Sequence, residues 1–127
     1  MQSVTSNAVA NALGYLVWEN PDSSQDFAGQ TITFDKAIPY GYSKILVEAR
    51  HWSNSSLRFL TLVNKEYAGF LSTIWSDSSG NFNTLTRRVE VTSDSACTFG
   101  DCRSTLNYNT PSVTNWGAVP TRIWAIK

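Results

Sequence analysis

The chain has 127 residues, the size of a single domain, and its 10 Lys+Arg balance 10 Asp+Glu, so no basic stripe offers nucleic acid its usual electrostatic footprint. Ser, Thr and Asn supply 39 residues while charged types make up only 16%, which leaves a polar surface of hydroxyls and amides. A hydrophobic fraction of 42%, rich in β-branched and aromatic types, excludes a disordered chain and favours an all-β fold.

Residues 3–13 differ from all that follows: they are rich in Ala and free of Gly and Pro, with Val4, Ala8, Val9, Ala12 and Leu13 on one helical stripe. Ser3 suits the start of a short helix and Gly14 its end. A helix of about ten residues is marginal alone in water, so the stripe needs a surface to bury it. Three copies meeting on an axis would supply one, making this stripe a trimerisation element; folding back onto the rest of the chain is the alternative.

From Tyr15 onward the pattern is short strands separated by turn clusters. Strands are expected over 15–19, 30–35, 42–52, 57–63, 67–75, 84–92, 96–99 and 121–127, with turns at Asn20-Pro21-Asp22, Pro39-Tyr40-Gly41, 53–56, Asn64-Lys65-Glu66, 77–81 and Gly100-Asp101. Residues 107–118 read as loop. The expected architecture is an antiparallel two-sheet β-sandwich over 15–127, of plain sandwich or jelly-roll type, preceded by an oligomerisation helix over 1–14. Strand order does not follow from the pattern.

No apolar run approaches the roughly 18 residues of a membrane-spanning helix, and Met1-Gln2-Ser3 opens no secretory leader, so membrane insertion is not expected and folding in a cytoplasm is. Cys97 and Cys102 are expected as free thiols, diagonal neighbours in a hairpin turning at Gly100-Asp101. With His51 the only histidine, no common zinc set can form, and no phosphate or calcium loop is present, so neither metal nor cofactor is expected.

Catalytic residues are not expected either. A nucleophilic triad would have to use His51, which reads as a surface or rim residue at a strand end. A glycosidase needs paired carboxylates. Glu48 and Glu90 lie in strands and could face each other, but each reads better as a solvent-facing strand residue.

Tryptophan is the unusual resource, five in the chain. Trp18 and Trp124 fall inside strands and read as structural. Trp52, Trp75 and Trp116 instead border polar loops that carry Asn54, Asp77 and Asn115. An indole can stack on the C–H face of a neutral sugar while neighbouring amides and acids bind its hydroxyls, so these six residues are the candidate ligand contacts.

Two segments carry a family resemblance: the opening Ser-Val-Thr-Ser-Asn-Ala-Val-Ala-Asn-Ala-Leu at 3–13 and the closing Pro-Thr-Arg-Ile-Trp-Ala-Ile-Lys at 120–127. With Trp18-Glu19-Asn20-Pro21, Phe27-Ala28-Gly29-Gln30-Thr31 and Thr98-Phe99-Gly100-Asp101 between them, the chain resembles C-terminal domains of tail-fibre or tail-tip proteins of gut bacteriophages and prophages. The resemblance implies a noncatalytic virion domain, made in the bacterial cytoplasm and acting outside the host cell. It implies a homotrimer whose partners are a bacterial surface glycan or other receptor and further tail proteins. A purely structural capping or trimerising role is the alternative, and a glycan depolymerase the remote one.

Overall fold

β-Branched and aromatic residues alternating with polar ones give strands with one buried face, and such strands must pair and stack to bury it. The computed structural model describes residues 14–52, 55–106 and 111–127, and contains no helix among them. Its strands are β1 (Tyr15–Glu19), β2 (Gln30–Thr33), β3 (Lys44–Trp52), β4 (Arg58–Asn64), β5 (Gly69–Ser76), β6 (Phe82–Ser93), β7 (Ala96–Phe99), β8 (Arg103–Leu106), β9 (Ser112–Val113) and β10 (Gly117–Ile126). The all-β expectation therefore holds. The helix expected over 3–13, with Val4, Ala8, Val9, Ala12 and Leu13, lies outside the described residues.

Two antiparallel sheets form a sandwich. The first has the order β1-β10-β3-β4. In the second, the long β6 pairs with β5 along one edge and with β7 and β8, end to end, along the other; β2 lies outside β7 and β9 outside β8. Between the sheets lie Ile45, Val47 and Ala49 of β3, Ile123 and Ala125 of β10, Leu85 and Val89 of β6, and Leu71, Cys97 and Phe99, all at most 1% exposed. Phe27, Phe34 and Ile38 close the core from the connections that flank β2.

Three local features depart from the expected pattern. The first is that β7 and β8 do not form a hairpin. Phe99 pairs with Val89 and Arg103 with Thr86, so Gly100, Asp101 and Cys102 stand opposite only Arg88 and Arg87, and the turn expected at Gly100-Asp101 is a one-residue bulge in an interrupted strand. Cys97 and Cys102 are free and buried, and desolvation pushes the Cys97 thiol up to about 12.

The second is that β10 starts at Gly117, inside the segment read as loop, and carries Pro120 in a central strand. Proline is tolerated there because the register shifts: Pro120 pairs with Ala49 and Arg122 with Glu48, leaving Thr121 as the extra residue of a bulge. The third is Glu48, expected to face solvent and in fact 1% exposed. Its Oε1 accepts a 2.6 Å hydrogen bond from Thr121 Oγ1 and lies 3.4 Å from Arg58 Nε and 3.7 Å from Arg122 Nη1. Flanking guanidiniums and the bulge hydroxyl offset the cost of withdrawing the carboxylate from water.

Candidate functional site

At one end of the sandwich the ends of β3 and β5 and the turn before β10 converge. Along β3, Ile45, Val47, Ala49 and His51 face the core, and Trp52 at the strand end faces away. Along β5 the inward set is Leu71, Thr73 and Trp75. Gly117 of β10 pairs with Trp52, which brings Trp116 alongside.

The result is a continuous aromatic cluster. The His51 ring stands 4.4 Å from the Trp52 ring and 4.7 Å from the Trp75 ring, both edge-to-face. Trp52 lies 6.5 Å from Trp75 and 6.3 Å from Trp116, also edge-to-face. These are the separations and tilts that aromatic quadrupoles favour, so the indoles brace one another. Trp52 and Trp116 each keep 38% of their surface exposed. The cluster therefore has a buried base, His51 with Trp75 above it, and an open aromatic surface made by the other two.

His51 was expected as a surface or rim residue, and it is 3% exposed. Its odd-numbered place on β3 turns it inward, and Trp75 covers it. Burial lowers its pKa from the ordinary value, so the imidazole is neutral near pH 7; Nδ1 meets Thr73 Oγ1 at 3.5 Å. It works as an aromatic spacer with a polar edge.

The loops beneath the cluster are held by the polar residues the sequence singled out. Asp77 Oδ1 accepts from the backbone N–H groups of Ser79 (2.9 Å) and Asn81 (3.1 Å), and Oδ2 from Asn81 Nδ2 (2.9 Å). These bonds, that of the Asn81 side chain first, hold its carboxyl below the usual range. Asn115 Oδ1 accepts from the Cys102 N–H at 3.0 Å, while Nδ2 donates to Asp101 Oδ1 at 3.2 Å. Both side chains thus fix the shape of a loop next to a tryptophan. Asn54 lies outside the described residues.

Sequence reasoning missed the residue that sets the Trp116 turn. Arg87 of β6 is 0% exposed and reaches across to the other sheet. Its Nε donates to Ala118 O (3.0 Å), Nη2 to Gly117 O (3.0 Å) and Nη1 to Gly100 O (2.8 Å), with Phe27 packed 5.3 Å from the guanidinium. The backbone it holds is unusual. Ala118 has φ 46°, a left-handed conformation disfavoured for a residue with a Cβ, and a Cβ on Gly117 would stand 2.7 Å from Leu85 Cδ2. Arg-Arg within an alternating strand pattern was the only signal: position 87 falls on the inward face.

Hollows also lie away from the cluster. One of about 420 Å³ is floored by Trp18 and Phe27 and rimmed by Asp22, Gln25, Asp26 and Gln30, none of them among the expected ligand contacts. A smaller one of about 230 Å³ lies over Glu48 between Arg58, Arg122 and Glu19. Glu48 and Glu90 belong to different sheets; Glu90 instead pairs with Arg88 at 3.0 Å. Among the described residues no group of three or more His, Cys, Asp or Glu is placed to hold a metal ion. Comparison with family models, curated proteins and solved structures finds no match to this chain.

Proposed function

We propose that the domain is a noncatalytic receptor-binding module of a bacteriophage tail fibre or tail tip, which recognises a neutral carbohydrate on the bacterial surface through the Trp52–Trp75–Trp116 cluster. The observation that carries the reading is convergence: three tryptophans from three separate parts of the chain meet at one end, two of them open to solvent. A surface rich in hydroxyls and amides with no net charge suits a neutral polyol better than an anion. Loops braced by Asp77 and Asn115 would hold the rings ready to stack, which lowers the entropic cost of binding. The virion assignment, the homotrimer and further tail proteins as partners rest on the resemblance of 3–13 and 120–127 to phage tail domains.

A glycan array tests this reading, followed by titration of the best binder against Trp52→Ala and Trp116→Ala. Each substitution should weaken binding at least about tenfold, near 1.4 kcal/mol, while the chain still unfolds in one cooperative thermal transition. Uniform silence across bacterial glycans, or binding indifferent to both substitutions, rejects the cluster as the site and leaves the structural capping role.

A further inference from the structure

The ring contacts of the aromatic cluster are all steep. Trp52 crosses both Trp75 and Trp116 at 69°, and His51 crosses Trp52 and Trp75 at 79°. The two indoles that stay open, Trp52 and Trp116, lie 6.3 Å apart between centroids and keep equal shares of their surface exposed. Faces set so close at such an angle bound a corner; they do not extend each other into a flat shelf.

That angle decides what can fill the site. The C–H groups of a sugar are drawn to the negative face of an indole, and a pyranose presents several of them at once only when its mean plane lies parallel to the ring. Successive residues of an extended polysaccharide offer near-parallel faces, which suit a shelf of coplanar rings. A corner takes one such face and leaves the second indole standing across the rim of the same sugar. What reaches that second ring is a substituent projecting from the pyranose edge. A hydroxymethyl group there gives up water around its hydroxyl for little return, whereas a methyl gains by leaving water.

The polar residues next to the cluster support this selection. Both Asp77 carboxylate oxygens accept bonds within the 77–81 turn, and Asn115 is bound through its carbonyl to the Cys102 N–H and through its amide to Asp101. These groups are engaged in holding loops, so discrimination between ligands falls to the rings.

Resting on the carbohydrate-receptor reading, we infer that the Trp52–Trp116 corner selects a terminal sugar with a methyl group at its edge, a 6-deoxyhexose or an N-acetylhexosamine. The pyranose face stacks on one indole and the methyl sits against the other. An interior residue of a linear chain of fully hydroxylated hexoses fits this corner poorly.

The full chain is screened on a glycan array, and each binder is then titrated beside its counterpart lacking the methyl. That counterpart is the 6-hydroxy sugar of the same configuration for a deoxyhexose, and the unsubstituted 2-hydroxy sugar for an N-acetylhexosamine. The methyl-bearing member should bind about fourfold tighter or better, the gain of taking one methyl group out of water. Saturation transferred from the protein should reach that methyl most strongly in the NMR spectrum of the ligand. The pair that shows the difference distinguishes the two sugar types. Of Trp52→Ala and Trp116→Ala, the one that removes the ring against the methyl should abolish the preference, and the other should weaken both members alike. Equal affinity within every pair, binders confined to unsubstituted hexose chains, or a preference that survives both substitutions would overturn the inference and leave the cluster as a receptor site. An array silent throughout overturns both readings. The paired titrations use the protein with all its tryptophans in place, so they decide the matter however well either variant folds.

Discussion

Arg87 satisfies three backbone carbonyls from two separate connections, and no carboxylate shares its burial through a direct bond. Burial lowers its pKa, but an arginine stays charged in any accessible range. Removing it strands three carbonyl groups and frees a strained turn, so Arg87→Leu should cost about 3–5 kcal/mol in urea unfolding. Arg87→Lys should cost less but still well over 1 kcal/mol, because one ammonium cannot reproduce the planar fork. His51 makes the opposite kind of prediction. Its pKa is lower in the folded chain than in the unfolded one, so the unfolded state binds more protons just below the ordinary histidine value of about 6.5. Stability should be complete above that pH and fall as acid is added, until the folded-state value is passed. His51→Gln should flatten this step. A second loss at lower pH, below the usual Asp value, should survive the substitution, because Asp77 and Asp101 are depressed by hydrogen bonds and lose stability only as they protonate. Thermal midpoints measured between pH 8 and pH 3 on both chains check the two windows.

Strands with clean alternation were legible from the sequence and those with irregular pairing were not. Lys44-Ile45-Leu46-Val47-Glu48-Ala49-Arg50 announces β3, and β1 and β7 occupy the expected residues. β8 and β9 escaped because each is short, and β10 lost its first half to Pro120, whose presence argues against a central strand unless a bulge relieves it. The same bulge explains Glu48. Alternation places it on an outer face, but only the register shift at Thr121 puts a hydroxyl 2.6 Å from its carboxylate. Thr121→Val, close in shape and lacking the donor, should therefore cost about 1–3 kcal/mol in denaturant unfolding. Glu48→Gln, which keeps an acceptor and sheds the charge, should cost less; equal losses would mean that the flanking arginines rather than the bulge hydroxyl set the energetics. For the site, the three tryptophans were visible because each borders polar loop residues. Their mutual contact was not, since it depends on the Gly117–Trp52 pairing between strands far apart in sequence.

Across the whole molecule, stability is shared between a core of long-range pairings and a few polar ties between sheets. Neighbours in the first sheet come from opposite ends of the sequence: β10 sits between β1 and β3 and pairs with β3 from Gly117 to Ile126. Deleting 121–127 should abolish cooperative unfolding altogether, read as a featureless calorimetric scan, rather than lower the midpoint by a few degrees. The same placement governs when folding happens during synthesis. Until the ribosome has made β10, β1 and β3 have no partner for their facing edges, and the first sheet cannot close. The nascent domain must wait, with open edges inviting neighbouring chains, until β10 has left the exit tunnel and slots between strands made long before it. Translation rate through β10, and the chaperones that shield those edges, should then decide the yield of native protein more than any single contact in the finished fold.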